Sequence, residues 1–410
     1  MEGLKEHASL LIDKSLTVAN EKLAKHDQAV VLLGSVVAAR ALYNVHDWVY
    51  HNDVSASKRV AEGFFAFVKS IPILREKIQA LVDESKREVS DRVKVDDHYI
   101  MNVPKEGQSF DQIVGTMKKY VNYDTIDWRA GNISGTTFTD DKELTELCAF
   151  TYKQFMLMNP LHPDCFKALR KMEAEIIAMT LHLYNGPADS CGMTTQGGTE
   201  SLGLAVLAAR NRAFSKGIKW PEIVMGHTVH AGVDKAAHYF RVKMVKVGYQ
   251  SDYKSNVKAM RRAITKNTCL LIGSAPAFSQ GLIDELEMIS NLAVENDIPM
   301  HVDACMGGFL LPFAEDAGHK LPLFDFRLPG VTSISADCHK YGYCPKGVSV
   351  LMFRTRELRR EAIFRCTEWS GGIYATPTYS GSRAGGHIGM ILLESWSLVC
   401  FDDVMDFLGF

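Results

Sequence analysis

Between residues 141 and 353 the chain alternates short apolar runs with segments of helical periodicity. The apolar runs predict buried strands at 222–225, 242–247, 269–275, 300–304, 331–336 and 348–353. The helical patterns cover 141–156, 166–183, 199–214, 256–265 and 284–295. Strands that alternate with helices are typical of a mostly parallel sheet flanked by helices, an α/β fold. In such a sheet, ligands are expected at the carboxyl ends of the strands.

The composition excludes several classes of function. The 410 residues include 46 basic and 48 acidic side chains, a net charge of −2, so we expect no nucleic-acid partner. The nine cysteines have no CxxC or CxxH spacing, which indicates neither a metal site nor a disulfide framework. A hydrophobic content of 47% suits a large globular protein with one big domain and a smaller part.

Residues 1–92 are predicted to form an N-terminal helical segment. A run of uncharged, mostly apolar residues covers 29–39 and ends before Arg40. This run is too short for a bilayer core, which needs about 20 residues. Extending the run to Tyr43 gives a marginal span with one charge inside it. A membrane anchor at about 27–43 and a helix packed on its own domain therefore both stay open. Residues 53–92 read as a charged, amphipathic connector.

Four motifs fall at predicted strand ends or helix starts. In TTQGGTES, two glycines precede Thr199 and a long helix, whose first amides suit a phosphate. HVDACMGG ends a strand in Asp303, HTVHAG follows a strand with His230, and SISADCHKYGYCPKG follows a strand with Lys340. Each motif alone has an ordinary explanation: a helix cap, a turn, a structural histidine or a solvated lysine.

Together the four motifs match the needs of pyridoxal phosphate. This cofactor requires amides for its phosphate, a lysine for its aldehyde, a carboxylate for its ring nitrogen and a flat partner for its ring. A metal site fits less well because no ligand cluster is present, and a nicotinamide site because no GxGxxG follows an early strand. The combination predicts that Lys340 is a catalytic amine.

Five segments resemble the sphingosine-1-phosphate lyases, which are fold-type-I pyridoxal-phosphate enzymes close to the group II decarboxylases. These segments are NPLHPDCFKALRKMEAEI, TTQGGTES, HVDACMGGFLLPF, SISADCHKYGYCPKG and WSGGIYATPTYSGSRAGG. The resemblance covers residues 114–386. It implies a pyridoxal-phosphate-binding large domain at 93–386. The divergent tail at 387–410 would begin a small C-terminal domain that we expect to be truncated.

The resemblance also implies a role for particular residues around the cofactor. Lys340 would form the Schiff base, Asp303 would bind the pyridine nitrogen, and His230 would stack on the ring with Cys305 on the opposite face. The residues expected at the cofactor phosphate are Gly198, Thr199 and His339, together with Gly381, which would reach into the neighbouring subunit of a homodimer. The active site would then be shared between two subunits.

On the substrate side, the resemblance implies that Lys346 meets a substrate phosphate and that Asn159 and His162 act in catalysis. The implied reaction is a retro-aldol cleavage of a phosphorylated long-chain base into a long-chain aldehyde and phosphoethanolamine. Eukaryotic members are anchored in the endoplasmic reticulum membrane with the catalytic part facing the cytosol, so we expect the same location here.

One residue departs from the family pattern. Phe138, in SGTTFTDDKELTEL, stands where the family has a tyrosine whose hydroxyl is a candidate for proton transfer. Two alternatives therefore stay open. The chain could be a silent paralogue, or it could be an amino-acid decarboxylase of the same fold, which Lys346 and the NPLH segment argue against.

Overall fold

The computed structural model describes residues 63–65, 67, 71–95 and 97–397. The strands are β1 Cys191–Thr195, β2 Glu222–Gly226, β3 Lys243–Val247, β4 Thr268–Ser274, β5 Met300–Asp303, β6 Val331–Ala336, β7 Ser349–Phe353, β8 Phe364–Cys366 and β9 Tyr374–Thr376. The helices are α1 Pro72–Val93, α2 Phe110–Val121, α3 Lys142–Phe155, α4 Lys167–Leu183, α5 Gly198–Ser215, α6 Gly232–Phe240, α7 Val257–Ala263, α8 Leu286–Glu295, α9 Arg356–Ala362 and α10 Gly385–Ser397.

Within the described residues, seven strands form one sheet in the order β1-β7-β6-β5-β4-β2-β3. Neighbouring strands from β3 to β6 are parallel, whereas β7 runs antiparallel to both β6 and β1. The predicted mostly parallel sheet is confirmed. Strand β1 was not predicted from the sequence, because CGMTT contains no continuous apolar run although all five residues are buried.

Alternation along the strands divides the core between the two faces of the sheet. Ile223 and Met225 of β2 pack with α5 and α6, whereas Val224 between them belongs to the cluster on the opposite face. Strand β7 behaves alike, since Leu351 packs with α5 and α9 and Val350 points the other way. Both faces are covered by helices, which explains why these strands read as continuous apolar runs.

A sharp turn joins β1 to α5. Gly197 has a φ of 95°, a conformation that side chains with a Cβ rarely adopt, and it lets the chain turn directly from the strand into an 18-residue helix. Because β1 and β6 both run antiparallel to β7, they run in the same direction. The start of α5 therefore lies at the edge of the sheet where β5 and β6 also end.

Some predictions fall outside or across these elements. The candidate anchor at 27–43 lies outside the described residues, and among the described helices none is long and apolar enough to span a bilayer. The boundary predicted at residue 386 falls within α10, whose Ile388, Met390 and Ile391 are buried in the large domain. The domain limits at 92 and 386 stay predictions.

Candidate active site

Lys340 lies in the turn that follows β6, and its side chain is mostly buried. Its Nζ is 2.9 Å from Oδ2 of Asp337, whose side chain is only 3% exposed. Burial lowers the pKa of Lys340, but its interactions with Asp337, with the Cys305 thiol and with Asp303 raise that pKa above its ordinary value. The structure thus brings Lys340 together with two of the residues predicted for the cofactor.

The turn at the start of α5 lies against the same carboxylate. A methyl group on Gly198 would be 2.6 Å from Asp337 Oδ2 and 2.9 Å from Cys305 Sγ, so only a glycine fits there. A methyl group on Gly197 would be 3.6 Å from Cε1 of His339. The backbone of this turn therefore approaches the Lys340 loop closely, as a phosphate cradle requires. Thr199 is exposed in the first turn of the helix.

His339 has a defined orientation beside Lys340. Its Nδ1–H donates to the carbonyl oxygen of Val348 at 2.6 Å, which fixes the tautomer and leaves Nε2 facing the site. That Nε2 is 3.7 Å from Asp337 Oδ2. In the protonated ring, Nε2–H can donate to an anion bound at the start of α5.

Asp303 ends β5 and is 6% exposed. One of its carboxylate oxygens accepts the backbone N–H of Cys305 at 3.1 Å, and the Cys305 thiol donates to Ser335 Oγ at 3.1 Å. Burial, followed by the charges of Asp303 and Asp337, raises the pKa of Cys305 well above its ordinary value. Cys305 is therefore an apolar-like wall of the site and not a thiolate.

A buried histidine supports this end of β5 from below. His301 Nδ1 is 2.9 Å from Ser333 Oγ and its Nε2 is 3.2 Å from Ser335 Oγ. Complete burial lowers the pKa of His301 to about 3. The neutral imidazole ties β5 to β6 and orients Ser335, the hydroxyl that holds Cys305.

His230 follows β2 at the same edge of the sheet. Its Nδ1 accepts the backbone N–H of Gly232 at 3.0 Å, which fixes the plane of the ring at the start of α6. The ring also meets Phe278 edge-to-face, with 6.4 Å between centroids. A flat side chain held from two sides is suited to stacking on a planar cofactor. The stacking of His230 on the cofactor ring stays a prediction.

Lys346 and Phe138 form a second group beyond Lys340. Lys346 Nζ lies 4.5 Å from the centroid of the Phe138 ring and donates to the His339 carbonyl oxygen at 3.2 Å. Phe138 also meets Tyr341 edge-to-face, with 5.2 Å between centroids. Burial, followed by the charge of Lys340, lowers the pKa of Lys346. The residue that departs from the family pattern thus contacts the predicted substrate lysine.

A cavity of about 610 Å³ adjoins this group. It lies between α3, α10 and the loop after β6. Lys346 and His339 contribute polar groups to its wall, and the larger part of the wall is apolar or aromatic. Among its lining residues are Trp128, Phe138, Leu144, Ala149, Met156 and Met390. Such a cavity suits a ligand that has one anionic end and an apolar body.

The remaining predicted residues lie on the loop that carries Gly381 and on the segment it contacts. Asn159 Nδ2 donates to Ser382 Oγ at 2.9 Å, so the NPLH segment is bonded to this loop. Gly381 lies against the hydroxyl of Tyr374. The His162 side chain is exposed, and no described hydrogen bond of its side chain connects it with Lys340. The structure therefore joins Asn159 to the loop that carries Gly381, and the roles of Asn159 and His162 in catalysis stay predictions.

The buried carboxylate of Glu200 and the half-buried carboxylate of Glu173 connect that loop to the large domain. Glu200 accepts the backbone N–H of Tyr379 at 2.8 Å and that of Gln196 at 2.6 Å. Arg383 donates to the Thr194 carbonyl at 3.0 Å and pairs with Glu173 at 3.4 Å. These contacts connect the loop to β1, α4 and the start of α5.

Asp337 is the site residue that the sequence predictions missed. It follows β6 directly, as Asp303 follows β5, so an aspartate at the end of a buried strand was the available signal. Its Oδ1 is buried and has no hydrogen-bond partner among the described residues. Asp337 lies three residues before Lys340 in the same motif, but the motif alone assigns no role to it.

The residues present fit the cofactor that the sequence predicts. The start of α5 has no side-chain cap, so its first amides suit an anion. The buried Oδ1 of Asp337 is a polar atom without a hydrogen-bond partner among the described residues. Lys340 supplies an amine, and Asp303 a carboxylate at a neighbouring strand end. Among the described side chains, no group of three or more His, Cys, Asp and Glu residues is arranged to hold a metal ion.

Comparison with known proteins identifies the family. Residues 93–367 match the model of the pyridoxal-dependent decarboxylase conserved domain. Sphingosine-1-phosphate lyase 1 of Rattus norvegicus is 42% identical over 379 residues, which are 92% of this chain and 66% of the rat protein. Sphingosine-1-phosphate lyase of Dictyostelium discoideum is 38% identical over 372 residues, which are 90% of this chain and 70% of that protein.

Solved structures agree with these relatives. A sphingosine-1-phosphate lyase of Burkholderia pseudomallei has a TM-score of 0.71 and 36% identity, and the match covers 74% of this chain and 71% of that chain. A glutamate decarboxylase of Lactobacillus brevis has a TM-score of 0.60 at 20% identity, covering 77% of this chain and 73% of that one, which supports the fold alone.

The chain is shorter than the relatives it matches. It spans 66% of the length of the rat, mouse and Drosophila proteins. The family assignment does not depend on the part outside the match, because the matched domain alone covers most of the chain. The chain therefore belongs to the pyridoxal-dependent decarboxylase family, and within it to the sphingosine-1-phosphate lyase group.

Proposed function

We propose that this protein cleaves the C2–C3 bond of a phosphorylated long-chain base, giving a long-chain aldehyde and phosphoethanolamine. The observation that carries the proposal is the position of Lys346, whose ammonium lies over the Phe138 ring and on the wall of the largely apolar cavity. A phosphorylated long-chain base has one anionic end and one long apolar end. Its binding site therefore needs a cationic group for the phosphate and an apolar wall for the alkyl chain. The named relatives are lyases that act on a substrate of this kind.

Pyridoxal phosphate, the cofactor of this family, supplies the electron sink for the breaking bond when it is bound. Lys340 is the residue that would hold it covalently, and Asp303 the carboxylate beside its ring nitrogen. His230 and Cys305 would lie on the two faces of the ring. Gly198, Thr199 and His339 would hold its phosphate, and this is supported by the His339 ring, which lies beside the turn at Gly197 where α5 begins.

The protein's own contribution is binding, orientation and proton transfer. Lys346 would fix the substrate phosphate as a point charge, and the cavity wall would exclude water from the alkyl chain. Asn159 and His162 would act near the C3 hydroxyl, whose proton must be removed as the bond breaks. Asn159 is held by the Ser382 hydroxyl, so its amide has a defined direction.

We propose further that the protein is a homodimer in the endoplasmic reticulum membrane, with the catalytic domain facing the cytosol. Support for the dimer comes from α2, an amphipathic helix that buries no residue and exposes Phe110, Ile113 and Met117. Gly381 would then contribute to the partner's site. Sedimentation equilibrium tests the dimer, and a monomer mass at micromolar concentration would refute it. Fractionation of cells tests the location, and protein recovered only in the soluble fraction would refute the anchor.

A second candidate is a chain that binds the cofactor without cleaving the substrate. Phe138 favours it, since the family has a tyrosine there and this chain lacks the hydroxyl. Proton transfer by a positioned side chain contributes about 10²–10⁴-fold to a rate. A loss of this size would leave a slow enzyme, and measurement of the aldehyde product distinguishes a slow enzyme from a silent one.

The test compares a phosphorylated long-chain base with its dephosphorylated form, with Lys346→Met and Lys346→Arg as matched variants. We expect Lys346→Met to raise KM for the phosphorylated base by about 10–100-fold, the cost of one lost charged contact. Lys346→Arg keeps the charge and should lose less. Because burial and Lys340 lower the pKa of Lys346, KM should also rise with increasing pH as this charge is lost. Equal KM values of the wild type for the phosphorylated and the dephosphorylated base would refute the role of Lys346 in binding the substrate phosphate.

A further inference from the structure

The ion pair between Asp337 and Lys340 is unusual for a structural contact. Both side chains are largely buried, at 3% and 17% exposure, and Nζ and Oδ2 are 2.9 Å apart. Burying two charges costs free energy that the pair repays only if the remaining polar atoms are also bonded. Here Oδ1 of Asp337 is buried and has no partner among the described residues. Stability alone therefore gives a weak reason for the pair.

The geometry leaves Asp337 little freedom to move away. Its carboxylate lies directly beneath the backbone of Gly198, where even a methyl group would clash. Its second neighbour is Nε2 of His339 at 3.7 Å, and that ring is fixed by its bond to the Val348 carbonyl. The carboxylate is therefore a stationary anion, whereas the flexible Lys340 side chain can leave it.

Lys340 must spend part of each catalytic cycle unattached. When the amine of a substrate replaces Lys340 as the partner of the cofactor, the substrate would enter as an ammonium and its nitrogen would give up three hydrogens and the positive charge. Nζ would take up three hydrogens and the charge, so that Lys340 would be released as an ammonium. Atoms and charge balance without another reactant. A released ammonium in a largely buried site needs an anion close by.

We infer that Asp337 is a positioning residue that holds the Lys340 ammonium whenever this lysine is not bonded to the cofactor. It keeps Nζ at the cofactor site between two catalytic events and prevents the amine from turning to solvent. The inference rests on the cofactor of the family and not on the identity of the substrate. It goes beyond the proposed function, because any reaction in which an amine replaces Lys340 would need it.

The test measures Lys340 directly in the cofactor-free protein. Amines react with acetic anhydride only in the neutral form, so the rate at which the Lys340 peptide is acetylated, followed by mass spectrometry, gives its titration midpoint. The groups that interact electrostatically with Lys340 besides Asp337 are Asp303 and Cys305 from the end of β5, and Lys346 from its own loop. His339 lies 3.7 Å from the other side of the pair, at Asp337 Oδ2. These groups stay in place when Asp337 alone is changed.

We expect the wild-type midpoint to lie above the value of about 10.4 for a free lysine. Asp337→Asn should lower it by about 1–3 pH units, the effect of one close opposite charge. Asp325→Asn is the matched control, since Asp325 is also buried and paired with a cation, Arg327, but outside the Lys340 loop. This control should leave the Lys340 midpoint unchanged.

A wild-type midpoint below that of free lysine would overturn the inference, because burial without the counter-ion gives that result. An unchanged midpoint in folded Asp337→Asn would overturn it as well, and so would an equal shift in Asp325→Asn. If Asp337→Asn does not fold, the wild-type midpoint alone decides. None of these results depends on substrate cleavage, so a failure of the proposed lyase activity would be seen separately.

Discussion

Phe138 shows how one side chain can serve two neighbours. The Lys346 ammonium lies over the face of its ring, and the ring forms an edge-to-face contact with Tyr341. A cation over an aromatic ring is stabilised by about 0.5–2 kcal/mol, depending on how dry the site is. The Phe138 ring therefore stabilises the Lys346 ammonium, even though Phe138 has no hydroxyl to take part in proton transfer.

Phe138→Tyr tests the missing hydroxyl. We expect kcat to rise by up to about 10²–10⁴-fold if a phenol at this position passes a proton, while KM changes little because the ring stays over Lys346. Phe138→Leu is the control, and it should raise KM for the phosphorylated base by removing the ring. Steady-state kinetics of aldehyde formation measures both. An unchanged kcat in Phe138→Tyr would show that the phenol has no part in the reaction of this chain.

Strands β5 and β6 carry the site at their ends and are tied together by His301 beneath it. The imidazole lies between the hydroxyls of Ser333 and Ser335, which belong to the neighbouring strand. Its pKa is lowered to about 3 by burial, so the folded protein keeps it neutral where the unfolded chain binds a proton. The stability of this pair of strands is therefore linked to pH.

The sign of this linkage follows from proton counts. Between pH of about 6.5, the value for histidine in an unfolded chain, and about 3, the unfolded state binds one more proton at His301 than the folded state. The free energy of unfolding should then fall by about 1.4 kcal/mol for each unit that the pH drops. His301→Gln, which can still bond both hydroxyls, should be less sensitive in this range. Parallel curves of unfolding free energy against pH for the two proteins would contradict the assignment.

The loop of residues 376–383 depends on Glu200 in the first turn of α5. Glu200→Gln leaves one backbone N–H facing an amide N–H₂, and we expect it to lower the free energy of unfolding by about 1–3 kcal/mol. The urea midpoint measures the loss. Glu315→Gln, at an exposed position, is the control and should change stability by less than about 0.5 kcal/mol. Equal effects of the two substitutions would mean that Glu200 does not hold the loop.

The sequence predicts the parallel part of the sheet well, because strands covered on both faces leave long apolar runs. β2, β4, β5 and β6 were predicted within one or two residues for this reason. β1 was not predicted because most of its buried residues are small or polar. The antiparallel direction of β7 depends on pairing with strands distant in sequence, which no local pattern indicates. Hairpin β8–β9 and helix α2 also went unpredicted, since neither contributes a continuous apolar run.

The site was predicted to the extent that its residues fall in recognisable motifs. Lys340, Asp303, Cys305 and Gly198 were named from the sequence, and the structure brings them within reach of one another. Asp337 and Glu200 were not, because their roles depend on which atoms face each other across the fold. The Lys346–Phe138 contact is likewise a property of two segments that are far apart in the chain.

The most direct test is an absorbance spectrum of the purified chain with added pyridoxal phosphate, beside Lys340→Ala. We expect a visible band of the lysine-bound cofactor in the wild type and its loss in Lys340→Ala, since Lys340 is the residue assigned to bind the cofactor covalently. A circular dichroism spectrum confirms that both proteins are folded. No band in folded wild-type protein, or the same band in Lys340→Ala, would contradict the assignment of Lys340 as the cofactor-binding amine of this chain.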